Sequence, residues 1–289
     1  MFELKCTISL VLCVKDLKNP ESVCSDSITL TSSGSQPLYT LYTADFAHNT
    51  PSCHLQKYSD DSAVVGLITD GDDREYRGLI QDFVDWSLRN NLQINTSKTK
   101  ELVVDFRRHN NSPPVPVNIQ GMDIDLVRSY KYLGVHLNDR LDWSDNTNAL
   151  VKKGNSRLFL LKRLRSFGVQ RPLLRTFYDS VVASAIFYGI VCWTSSIMDR
   201  DRRKMDRLVR RASSVLGCPL DSVEVVGNER MTAKLSSMLN SPSHPLQHTL
   251  TALSSSFSER LLHPRCVKER YRRSFLPAAV RLHNKLNAR

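Results

Sequence analysis

Two adjacent aspartates, Asp60 and Asp61, stand between short strand-like runs, His54 to Ser59 before them and Ser62 to Ile68 after. Such flanks suit the two strands of a hairpin and put the carboxylates at its tight connection. Carboxylates crowded together repel unless a cation neutralises them, and hard oxygen donors of this kind suit Mg²⁺. Two such ions, clamping the attacking and leaving oxygens, serve nucleotidyl transfer. The plain alternative is a solvated Asp-Asp turn, which is what most such dipeptides are. A second candidate lies downstream. Arg200 to Arg211 carries Arg202, Arg203, Lys204, Arg207, Arg210 and Arg211, with Leu208 and Val209 between them. On a helix this run either tracks phosphates or forms a solvated face over buried leucine.

The elements that must hold these residues change character along the chain. Residues 1 to 36 are a weakly specified lead-in: an apolar, strand-like run from Ile8 to Val14, then a polar stretch ending in Ser33-Gly-Ser35. Pro37 to Phe46 has a helix-like stripe of Leu38, Tyr39, Leu41, Tyr42 and Phe46. After the acidic hairpin, Tyr76, Leu79, Ile80, Phe83 and Trp86 recur at helical spacing, which predicts an amphipathic helix over Arg74 to Asn90. Strands are expected at Leu92 to Ile94, Leu102 to Phe106, Val117 to Ile119 and Tyr130 to Leu137. Beyond Trp143 three long helices are expected, Asn146 to Phe167, Pro172 to Trp193 and Asp199 to Leu216, with Gly168 and Gly217 at natural ends. The class is therefore α+β: strands with helices first, then an all-helical bundle.

Composition sets the frame. The chain has 289 residues, a hydrophobic fraction of 41%, a formal net charge of +11 and a pI near 9.4. That is enough apolar material for a core, and the charge favours a polyanionic partner, although solubility alone also accounts for it. Seven cysteines without a CxxC pair argue against a disulfide framework and for a reducing compartment. Cys218, His263 and Cys266 lack a partner set at zinc-ligand spacing. The apolar start has Glu3 before it and no small-residue cleavage site after it, and the run Val181 to Trp193 is too short for a bilayer. No membrane association is expected; an intracellular setting is, in nucleus or cytoplasm.

Several motifs now combine. Tyr58-Ser-Asp-Asp61 resembles the aromatic-x-Asp-Asp box of reverse transcriptases. Leu92-Gln-Ile-Asn-Thr-Ser-Lys98-Thr99-Lys100 resembles the following box, an asparagine strand with a Lys-Thr turn, and Tyr130-Lys-Tyr-Leu-Gly134 resembles the primer-grip hairpin. Lys152-Lys-Gly-Asn-Ser-Arg-Leu158, Arg163-Leu-Arg-Ser-Phe-Gly168, Val181-Val-Ala-Ser-Ala185 and Arg207-Leu-Val-Arg-Arg-Ala-Ser-Ser214 look like the thumb side of LINE-type (non-LTR) reverse transcriptases. Ser256-Phe-Ser-Glu-Arg260 and the run His263 to Arg273 look like the segment after it, so the resemblance covers roughly residues 37 to 285.

The resemblance implies residues 37–140 as a partial polymerase palm, 141–220 as a helical thumb-like region and 221–289 as a basic C-terminal segment. It implies Asp60 as a metal-binding carboxylate, Asp61 as its neighbour with a lesser metal role, and Lys98 as proton donor to leaving pyrophosphate. Tyr132, Leu133 and Gly134 would form the primer grip; Lys98 is otherwise an ordinary turn lysine and Tyr132 a core residue. RNA or DNA, including an RNA–DNA hybrid, would be the partner, with Mg²⁺ if activity remains; oligomeric state is left open.

The departures count equally. The upstream box holding the family's first metal-binding aspartate is not found, and Asp16 is not carried into that role, because its surroundings do not match and Asp60 is too near. Ser32-Ser-Gly34-Ser-Gln-Pro37 stands where the template-positioning box should be. These losses lead to the expectation of a truncated, catalytically inactive enzyme whose sheet exposes an unpaired edge. The alternative is a nucleic-acid-binding remnant without chemistry. A weaker one is a similarity label over Arg157 to Trp193 to the N-terminal segment of AlkB-type tRNA-modifying oxygenase–methyltransferases, whose iron and cofactor motifs are not found.

Overall fold

The computed structural model describes the backbone of residues 6–16 and, in full, residues 41–59, 61–105, 115–258, 260–266 and 268–287. It divides into two compact units, Met1–Leu141 and Asp142–Arg289.

The first unit is built on a five-stranded sheet. Its strands are β1 (Cys6–Asp16), β2 (Cys53–Tyr58), β3 (Asp61–Thr69), β4 (Gln93–Asp105) and β7 (Asp125–Val127), in the order β2-β3-β1-β4-β7. The apolar run of the lead-in thus becomes the middle strand, antiparallel to β3 on one side and β4 on the other. The separate strands expected at 92–94 and 102–106 are one strand, β4, whose two ends, Gln93 to Asn95 and Lys100 to Asp105, both pair along β1 on either side of a bulge. Two hairpins follow the same logic of paired positive φ. β5 (Asn118–Ile119) and β6 (Met122–Asp123) turn at Gln120 and Gly121, and β8 (Ser129–Tyr132) and β9 (Val135–Asn138) turn at Leu133 and Gly134. The single strand expected over Tyr130 to Leu137 is corrected by this second turn, whose φ values of 45° and 83° reverse the chain.

Helix α1 (Arg74–Arg89) supplies the core. Tyr76, Leu79, Ile80, Phe83, Val84 and Trp86 are buried, the three-and-four spacing that lets one face lie on a sheet. They pack with Leu55, Val64, Ile68, Leu92, Ile94, Val117, Ile119 and Ile124. Phe46 closes the cluster, its ring centre 5.6 Å from that of Phe83 and 5.2 Å from that of Trp86. Helix and sheet pack tightly at Gly66, where an added Cβ would meet the Tyr76 ring at 2.5 Å.

The second unit is helical. Helices α2 (Ser144–Ser166), α3 (Arg171–Phe177), α4 (Ser184–Ile186), α5 (Ile190–Trp193) and α6 (Asp199–Leu216) enclose Leu158, Leu161, Ile186, Trp193, Met205 and Leu208. The unbroken helix expected from Pro172 to Trp193 is interrupted twice. Tyr178–Ala183 widens into a π-helical turn, whose Val181 carbonyl accepts from Arg157 Nη1 at 2.5 Å, and Gly189 at φ 60° stops and restarts the helix. Helices α7 (Val223–Leu239), α8 (Gln247–Ala252), α9 (Glu269–Arg272) and α10 (Phe275–Leu286) make up the remainder. Met231, Leu235, Met238, Leu250, Leu261 and Ala278 to Val280 form their core. No helix is long and apolar enough to cross a membrane among the described residues.

Candidate sites at the sheet end and on a basic helix

The acidic connection, the Lys98 turn and the β8–β9 hairpin come from separate stretches of sequence, and strand register decides whether they meet. Tyr58 pairs with Asp61, so the link between β2 and β3 is two residues long and Asp61 opens β3. Asp61 pairs in turn with Val14, and Val14 with Asn95. Three strands thus place Asp61, Val14 and Asn95 in one row, which at ordinary strand spacing sets the backbones of Asp61 and Asn95 about 10 Å apart. Asp16 ends β1 opposite Gln93, two residues past this row. Asp60 lies outside the described residues.

The register also explains the Lys98 turn. Leu12 pairs with Lys100 and Val14 with Asn95, so one residue of β1 stands against four of β4 and the excess must bulge. Asn95 shapes that bulge: its Oδ1 accepts from Ser97 Oγ at 2.7 Å and from Lys98 N at 3.1 Å, while its carbonyl accepts from Thr99 Oγ1 at 2.8 Å. Lys98 is presented to solvent. Lys100, by contrast, is tied to Asp125 at 2.7 Å and to the Ser97 carbonyl.

Tyr132 completes the sheet end. Burial pushes its hydroxyl pKa up, and the negative charge of nearby Asp61, then Tyr130, pushes it further. The hydroxyl is buried and has no hydrogen-bond partner among the described residues; the same is true of Ser62 Oγ, beside Asp61. Leu133 and Gly134 form the turn beyond Tyr132 and carry backbone shape, not charge.

Does this set of groups suit Mg²⁺? Among the described residues Asp61 is the one carboxylate placed at the row, no group of three or more His, Cys, Asp or Glu is arranged to hold a metal ion, and the neighbouring orphan hydroxyls are neutral. Two Mg²⁺ ions need more anionic oxygen than one carboxylate supplies. The described donors alone do not fit a two-ion centre, and no step is derived through one.

On α6 the six basic candidates divide. Arg202 faces Glu224 at 3.6 Å, and Lys204 pairs with buried Asp201 at 2.9 Å while donating to Asn148 at 3.2 Å. Both belong to the packing of the unit. Arg203, Arg207, Arg210 and Arg211 are exposed. Arg211 donates to Asn155 Oδ1 at 2.8 Å, whereas Arg207 and Arg210 have no ion pair among the described residues.

Sequence reasoning missed two groups. Asn95 was legible as an Asx turn, since Asn-Thr-Ser-Lys carries the residue types that bond their own backbone. Glu101 gave no signal: it is buried, accepts from Tyr76 Oη at 3.0 Å, and burial raises its pKa.

The chain is similar to "Probable RNA-directed DNA polymerase from transposon X-element" of Drosophila melanogaster, 27% identical over 193 residues. The match covers 63% of this chain and 20% of that protein. No family model matches, and no solved structure matches. This likeness supports a relationship to reverse transcriptases of transposons.

Proposed function

We propose that the chain is the later palm and the following thumb-like region of a LINE-type RNA-directed DNA polymerase, that it holds RNA or DNA through basic surface, and that it does not polymerise by itself. The observation that carries this reading is the gathering of three separate boxes at one sheet end: Asp61 in the row with Asn95, the Asn95-shaped turn presenting Lys98, and Tyr132 within reach of the Asp61 charge. In this reading Lys98 is the proton donor that a polymerase would need, and the turn of Leu133 and Gly134 is the primer grip. Loss of chemistry follows from the donor count, since Asp60 and Asp61 belong to one connection and a two-ion centre draws oxygens from more than one strand.

A second reading is favoured by the course of β1. Its end, Asp16, stands two residues past the row that contains Asp61. If that carboxylate completes the donor set, extension of a primer on an RNA template with Mg²⁺ is retained, and both Asp60→Ala and Asp16→Ala abolish it. The first reading expects no extension above background from the parent chain or either variant. Extension that needs Asp60 and Asp16 would replace the first reading with the second.

A further inference from the structure

Helices α2 and α6 run parallel, joined by two rungs with the same offset: Asn148 to Lys204 and Asn155 to Arg211. Each rung spends an asparagine oxygen on a cation. Between the rungs both helices carry an exposed cation, Lys152 on α2 and Arg207 on α6, and neither has an ion pair among the described residues. The helices are drawn together here by Gly154, where a Cβ would meet Leu208 and Ile186, each at 2.8 Å. Like charges along so close a seam repel, and an anion lying over it relieves that repulsion.

The solvent face of α2 adds a second kind of group. Lys152, Ser156, Phe159 and Arg163 recur at intervals of four, three and four, so they share one stripe opposite the buried Leu150, Leu158 and Leu161. Phe159 is 60% exposed in the middle of that stripe. Farther along, Phe167 is 72% exposed and holds the Arg163 guanidinium 5.3 Å from its ring centre. At the rise of a helix, the two rings are about 12 Å apart along the axis. Water-facing phenylalanines flanked by unpaired cations answer to a ligand with flat apolar faces and regular negative charge.

We infer that this face of the helical unit binds single-stranded nucleic acid, with phosphates over the Lys152–Arg207 seam and bases stacked on Phe159 and Phe167. The inference rests on the nucleic-acid reading above and specifies its form. An unpaired base has a free face for a ring, whereas a duplex keeps those faces inside its own stack and leaves phosphates for contact. A duplex would therefore use the cations and ignore the phenylalanines.

The test is fluorescence anisotropy of the full chain with a labelled oligouridylate and with a blunt duplex of equal length, across a salt series. Phe159→Ala is expected to weaken single-strand binding about tenfold, in line with the loss of one stacked base, and to leave duplex binding unchanged. Phe159→Trp should restore it. Lys152→Gln and Arg207→Gln should each weaken both ligands and lower the salt slope by about one. Single-strand binding indifferent to Phe159→Ala, or a duplex preferred by the parent chain, overturns the inference while leaving the broader reading in place. Failure of the parent chain to bind either ligand at low salt overturns both. All three substituted side chains are exposed, and circular dichroism of the variants checks that the helices are intact.

Discussion

The two units carry their candidate chemistry in opposite ways. At the sheet end, Asp61, Asn95 and Tyr132 depend on pairings between strands far apart in sequence, so a slip of one residue in β1 would move Val14 out of the row that joins them. In the helical unit the exposed cations of α6 follow from spacing within one helix, and only the rungs to α2 are long-range. Position is fragile in the first and robust in the second. The sheet end thus demands that the whole unit fold correctly before any of its groups stand together, while the basic stripe needs one helix and its support.

The strongest way to break this contrast is to empty the sheet core. Phe83→Ala removes a buried ring packed against both Phe46 and Trp86 and is expected to destabilise the first unit by about 3–5 kcal/mol. Hydrogen exchange should then quicken across β3 and β4 while Asp199–Leu216 keeps its protection; equal loss in both would erase the distinction. A smaller effect sharpens it. Gly66→Ala presses a methyl into the Tyr76 ring, and Gly154→Ala presses one between Leu208 and Ile186, each costing about 1–3 kcal/mol. Hydrogen exchange should locate the first change in the sheet unit and the second in the helices; chemical denaturation should report the size of each.

The smallest effect is a matter of pH. Burial raises the pKa of Glu101 above its usual 4.5, so folding favours the protonated carboxyl. That contribution is fully present below the usual value and is lost as pH rises through the raised one. Relative to Glu101→Gln, the parent chain should therefore lose denaturant stability as pH climbs from about 4.5 toward neutrality. A difference between the two proteins that stays flat over this window would show that Tyr76 and Val117, which both donate to the carboxylate, balance its burial.

What could be read from sequence tracks the same divide. The helix over Arg74–Arg89 and that over Asp199–Leu216 were legible because burial repeats every three or four residues. The break at Gly189 was hidden in an apolar run that a periodic pattern carries straight through. The acidic connection could be seen as a hairpin, yet nothing in residues 6–16 says which strands they would join, since the continuous apolar run from Ile8 to Val14 offers little alternation to fix its partners. Lys98 could be named, but its presentation by Asn95 depends on a four-against-one register that only pairing with β1 creates. Of the six basic candidates on α6, Arg202 and Lys204 were indistinguishable in type from the rest, and only their neighbours Glu224 and Asp201 take them out of the exposed set.

The location of β1 also governs the order of assembly. A strand that precedes both its neighbours in sequence occupies the middle of the sheet, with Thr7 against Ile68 on one flank and Asp105 on the other. β1 must therefore wait for β4, far along the unit, before its second neighbour exists, and closing so long a loop is entropically slow. Until then β1, laid against the hairpin of β2 and β3, has an open hydrogen-bonding edge where β4 will arrive, and any other extended peptide that reaches it first competes with β4.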